Sequence, residues 1–138
     1  DQAAPVLLRR PERLRRSRKR GYRTPAGVIY VGRPTFWGNP FQAKRFGHIA
    51  SVKLHRHWLD GELGALFLER LRFSPAEIDA LWRWRLRLVA RLGELAGHDL
   101  QCWCPLTAPC HADTLIERAA AWTDHARLIG AFEARLAA

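Results

Sequence analysis

The sequence predicts a small single α/β domain, with a short, mostly parallel sheet flanked by helices. Three observations predict it. The chain has 138 residues, 48% of them hydrophobic, which suffices for one core and little else. Strand-like runs at Val28–Val31 and Asp99–Cys104 alternate with segments of helical periodicity. The turn-forming residues fall between these runs rather than within them. A multidomain enzyme, a collagen-like or disordered chain, and an acidic regulatory protein are all excluded.

Charge divides the chain unevenly. The net charge is +10, and residues 1–23 hold +7 of it, with nine Lys or Arg against Asp1 and Glu12. The expected organisation is therefore a basic N-terminal arm over 1–23 and a compact α/β domain over 24–138. Such an arm attracts polyanions through counterion release, although a merely solvated arm has the same composition. Val6-Leu7-Leu8 is a candidate edge strand leading into it.

The stronger strand, Val28-Ile29-Tyr30-Val31, is apolar on both sides of the pleat, as expected of a central strand. The loop Gly32–Phe41 follows, with two Gly, two Pro and three large aromatic residues. Residues 48–59 fit a helix that buries Ile49, Val52 and Leu59, broadened by Leu54 and Trp58. On it His55 points into the apolar arc and His57 away. Ser74-Pro75-Ala76-Glu77 is a capping box with proline at the first helical position. The helix it opens is expected to reach Ala96 and to bury Ile78, Leu81, Trp82, Val89 and Leu92. Arg83, Arg87 and Arg91 form its solvated stripe.

Asp99–Cys104 reads as a strand with Leu100, Cys102 and Cys104 on one face, and Gln101 and a core Trp103 on the other. Pro109 is expected in the first turn of a last helix carrying Leu115, Ile116, Ala119 and Ala120. Residues 123–138 form another helix or extend it. Two strands are too few for an open sheet, so Val6–Leu8, part of the arm or the Phe67–Phe73 region must supply more.

All three cysteines lie within nine residues, as Cys102, Cys104 and Cys110, next to His111. This is no disulfide framework, which spreads its cysteines. Three thiolates and an imidazole make a closed tetrahedral zinc set, although the one-residue gap in Cys-Trp-Cys is short for a zinc knuckle. A second reading makes Cys110 a nucleophile stabilised at a helix start, with His111 as proton carrier and Asp113 orienting it. A third treats the thiols as plain core packing.

The loop Gly32–Phe41 offers a second candidate site, at the end of a strand where α/β proteins bind ligands. Arg33 can fork onto a phosphate, Gly38 permits close approach, Trp37 or Phe41 can stack on a base, and Asn39 can read its edge. The competing reading is a rigid connection in which the aromatics close over the core. Neither GxxxxGK[ST] nor GxGxxG is present, so ATP hydrolysis and dinucleotide binding have no motif support.

Together, the Tyr30–Phe41 loop and the Cys102–Asp113 segment resemble the family known as domain of unknown function 4326, in an expected match over roughly residues 25–120. Arg33, Gly38, Asn39, Pro40, Phe41, Cys102, Cys104, Cys110, His111 and Asp113 match its motifs. Ala112 departs from them, where the family often has glycine. The resemblance implies a small bacterial or phage α/β protein and tilts the reading toward nucleotide or nucleic-acid chemistry.

The expected function is binding of a nucleotide or nucleic-acid phosphate, with transferase or hydrolase chemistry by Cys110, His111 and Asp113 left open. The alternative is a zinc-stabilised nucleic-acid or protein adaptor without catalysis, held by Cys102, Cys104, Cys110 and His111. No apolar stretch approaches the roughly 20 residues needed to cross a bilayer, so a cytoplasmic location and no membrane partner are expected.

Overall fold

The computed structural model describes residues 10–138. The expected strand at Val6–Leu8 lies outside them. Within them the order is β1 (Arg13–Arg15), β2 (Ile29–Tyr30), α1 (Ala43–Phe46), α2 (His48–Leu59), α3 (Ala65–Arg70), α4 (Pro75–Ala90), a 3-10 turn (Leu92–Glu94), β3 (Leu100–Cys102) and α5 (His111–Ala137).

Among the described residues the sheet has three strands, ordered β1-β3-β2, and β3 is parallel to both neighbours. The expected α/β class is therefore observed. Its missing strand comes from the basic segment: Arg13 is in register with Leu100 and Arg15 with Cys102. β3 lies in the middle and all three of its residues are buried. The expectation of a central Val28–Val31 strand is corrected, because β2 is an edge with half-buried side chains. Apolar character on both sides of a strand marks coverage of both faces, and loops and helices can provide that at an edge.

Alternation assigns the faces. Arg13, Ile29, Leu100 and Cys102 face the core and the start of α5. Leu14, Tyr30 and Gln101 face the other way, where Tyr22 and Thr24 meet Gln101. The buried Gln101 is satisfied there, accepting from Thr24 Oγ1 at 2.9 Å and donating to the Tyr22 hydroxyl.

α4 begins at the predicted capping box: Ser74 Oγ accepts from the Glu77 N–H at 3.2 Å, and Glu77 Oε1 accepts from the Ser74 N–H at 2.8 Å. The helix ends at Ala90 rather than Ala96, because the chain tightens into the 3-10 turn at Leu92–Glu94. Its buried line runs through Ile78, Leu81 and Leu88, and Trp82, on the flank of that line, stands exposed, contrary to expectation. Trp84 instead packs inward, with its indole N–H on the Phe36 carbonyl at 2.9 Å. On α2, Trp58, Leu59 and His55 are buried as predicted, but Ile49 in its first turn is exposed. α5 runs unbroken through residues 123–137. Its first residue is His111 and its N-cap is Cys110, so Pro109 precedes the helix instead of opening it.

Candidate metal centre

Two chain segments about 70 residues apart meet where β2 and β3 end. Cys102 closes β3, Cys110 caps α5 and His111 starts it, so the short 103–109 turn folds the two cysteines toward each other. Their Sγ atoms and one nitrogen of His111 all lie within 4.8 Å of one another, and all three residues are buried. Cys104, half-buried at the rim, has its Sγ 3.7 Å from that of Cys102. The three thiols are free.

The tautomer of His111 follows from one contact. Its Nε2 lies 2.9 Å from the Val31 carbonyl oxygen, which can only accept, so Nε2 carries the proton. The Nδ1 lone pair is thereby left toward the thiols, 3.7 Å from Cys110 Sγ. A metal-binding histidine is prepared in the same way, with its second nitrogen held by a carbonyl or carboxylate. This contact also joins the cysteine segment to the residue that precedes the Gly32–Phe41 loop.

The thiols share charge. S–H donation from Cys104 and then Cys110 holds the Cys102 thiol far below the usual thiol range, against the opposite pull of burial. The Cys102 sulfur in turn pushes Cys104 and Cys110 up. The three thiols therefore do not ionise independently of one another. The Ala112 N–H, 3.5 Å from Cys110 Sγ, favours a Cys110 thiolate but is outweighed.

Arg13 supports the turn from below, a role the linear sequence does not reveal. Its buried guanidinium donates to the carbonyls of Pro105 at 3.2 Å, Leu106 at 3.2 Å and Ala108 at 2.7 Å, and to Asp113 Oδ1 at 3.0 Å. Asp113 is therefore engaged by Arg13 at the start of α5. From the other side, His48 Nε2 donates to the Pro109 carbonyl, which ties α2 to the same turn. His55 is fully buried, its ring edge-on to His111 at 5.2 Å, and neither of its nitrogens has a hydrogen-bond partner among the described residues. Burial, and then the proximity of His111, hold its pKa well below the ordinary histidine value.

The aromatic glycine loop adopts the rigid form. Phe41 is fully buried, with its ring edge-on to Trp58 and Phe73. Trp37 is buried against Phe36 and beneath Arg91. The Asn39 side chain donates to the Ser51 carbonyl at 3.1 Å and Ser51 Oγ at 2.9 Å, and accepts from the Phe41 N–H at 2.8 Å. Ser51 completes the knot by donating to the Phe41 carbonyl. A Cβ on Gly38 would stand 3.1 Å from Arg33 Cγ and 3.2 Å from the Thr35 carbonyl, so the close approach this glycine permits is to its own loop. Arg33 is exposed, as is Pro34, and it donates to the Asn39 carbonyl at 3.2 Å. A cavity of about 230 Å³ nevertheless joins the two segments, lined by Arg33, Asn39, His48, Cys102, Cys104 and His111 among others.

Trp103 was expected in the core. The structure places it on the outer face, partly exposed, with the Arg16 and Arg18 guanidiniums 5.4 and 4.9 Å from its ring centre. Alternation turned it away from the buried cysteines as expected, but the face it reached carries arginines rather than apolar cover.

The fold and this cluster define a small α/β domain with a candidate metal centre of cysteine and histidine at the end of its sheet. Residues 14–121 match the model of the family described as domain of unknown function (DUF4326), and the chain belongs to that family. No curated protein and no solved structure matches it. Among the described residues no helix is long and apolar enough to cross a membrane.

Proposed function

We propose that this protein is a zinc-stabilised nucleic-acid-binding domain in which the metal is structural. The observation that carries the reading is the donor geometry. Zinc–sulfur bonds of about 2.3 Å and zinc–nitrogen bonds of about 2.0 Å place tetrahedral neighbours about 3.8 Å apart for two sulfurs and about 3.6 Å for sulfur and nitrogen. The Cys102–Cys104 separation is 3.7 Å and the Cys110–His111 separation 3.7 Å, with the His111 lone pair already turned inward. Cys102, Cys110 and His111 form a soft set that suits zinc, and Cys104, beside Cys102 but outside that group of three, would close it as the fourth ligand. A divalent cation also removes the conflict among the thiols, since it stabilises all three as thiolates.

A structural role fits the surroundings better than a catalytic one. Asp113 is held by Arg13, and Asn39 is fully engaged within its loop. The nucleic-acid part rests on the basic segment and on Arg16 and Arg18, which the sheet fixes beside Trp103 and Tyr30.

Metal analysis of protein purified under reducing conditions tests the reading. One zinc per chain is expected, with loss of cooperative unfolding on chelation and loss of metal in Cys110→Ser and His111→Ala. Folded, metal-free protein indifferent to chelator would overturn it. Affinity for polynucleotides that does not fall with added salt would remove the nucleic-acid part.

A further inference from the structure

We infer that the outer face of the sheet, at Arg16, Arg18, Tyr30 and Trp103, binds single-stranded nucleic acid by stacking unpaired bases. The inference rests on the nucleic-acid reading above and specifies both the place and the strandedness. Tyr30 sits on β2 and Trp103 just beyond β3, so adjacent parallel strands carry two aromatic rings on one face. The Arg16 guanidinium lies over both rings, 4.4 Å from the centre of Tyr30 and 5.4 Å from that of Trp103, and Arg18 lies 4.9 Å from Trp103. A hollow of about 530 Å³ opens among Arg15, Arg16, Ser17, Arg18 and Trp103, and among the described residues no acidic side chain lines it.

Charge complementarity selects a polyanion, and the rings select its state. A base offers its flat face to an aromatic ring only when it is unstacked from its neighbours, which single strands allow and a duplex does not. Arg16 and Arg18 already lie against the ring where a base would insert, so a base entering there is sandwiched between indole and guanidinium, with Arg15 at the rim of the hollow. Trp103 also lies between two of the metal ligands. Closing the cysteine cluster therefore fixes the indole, and a fixed ring loses little entropy on binding.

The test uses the full zinc-loaded chain and labelled oligo(dT) and oligo(U) of about 12 nucleotides against a DNA duplex of the same length, over a salt titration. Single strands are expected to bind at least about tenfold more tightly than the duplex. Trp103→Leu is expected to lose about tenfold in affinity with its salt slope unchanged, whereas Trp103→Phe retains most of the affinity. Arg16→Gln with Arg18→Gln should lower the single-strand slope by about 1.4. Photocrosslinking of a 5-iodouracil strand to the wild-type chain should map to Trp103 or Tyr30, a readout that does not depend on a variant folding. Duplex binding as tight as single-strand binding, or crosslinks confined to other surfaces, would overturn the inference while leaving nucleic-acid binding intact. Absence of binding to every probe would remove both.

Discussion

Arg13→Met removes a guanidinium and keeps an apolar stem of similar length, which isolates the hydrogen bonds from the packing. Arg13 makes four of them, three to carbonyls of the turn that presents Cys110 and one to Asp113. Its side chain is 8% exposed, but that of Asp113 is 49% exposed, so solvent already weakens the ionic contact. At a net value near 1 kcal/mol per bond, discounted for the exposed partners, the loss is about 3 kcal/mol. For a domain of this size that corresponds to a fall of about 10 °C in midpoint, read by far-ultraviolet circular dichroism on the zinc-loaded protein. Release of the turn should also loosen the proposed metal ligands, and competition with a chromophoric chelator should show zinc affinity about tenfold weaker. Arg15→Met is the control: it removes the same charge from the same strand at an exposed position and should change stability by less than about 0.5 kcal/mol. Equal midpoints and equal zinc affinities in the two variants would refute the assignment of Arg13 as the brace of the cluster.

Two other substitutions separate architecture from ligand contact. Asn39→Ala strands the Phe41 N–H in a buried setting and removes both side-chain bonds to Ser51, and is expected to lose about 3 kcal/mol by urea unfolding at unchanged m, with oligonucleotide affinity per folded molecule intact. An unchanged urea midpoint would return Asn39 to the role of ligand reader. His55→Leu replaces a buried imidazole lacking hydrogen-bond partners with an aliphatic group of similar volume, and should leave stability equal or raise it by about 1 kcal/mol. A loss of 2 kcal/mol or more, on the scale of a buried hydrogen bond broken, would show that the ring nitrogens are satisfied in solution.

Local rules read well where the relevant partners are close in sequence. The Ser74–Glu77 capping box, the 48–59 helix with His55 inward and His57 outward, and the pairing of Cys102 with Cys104 all depend on contacts within a few residues. The same rules failed on Trp82, Ile49 and Trp103. Each lies in an element of the expected kind, yet the direction from which the rest of the protein approaches was not written in that element's periodicity. The Arg-rich segment was legible in part: part of it was expected to supply a missing strand, and Arg13–Arg15 do so, but a run of like charge does not announce that one guanidinium is buried. Deletion of residues 1–23 would consequently remove β1 and Arg13 together with the basic charge.

By itself the sequence determined the α/β class, the helix that starts at the capping box, and the family to which residues 14–121 belong, because periodicity, capping and motif spacing are properties of neighbouring residues. Tertiary structure alone decided that Arg13 should support a turn some 90 residues away, that His111 should present Nδ1 to the thiols, and that Trp103 should stand among arginines. Parallel pairing brings together segments that have no local reason to meet, and a hydrogen bond from a distant carbonyl, not the residue type, sets which nitrogen of a histidine is free.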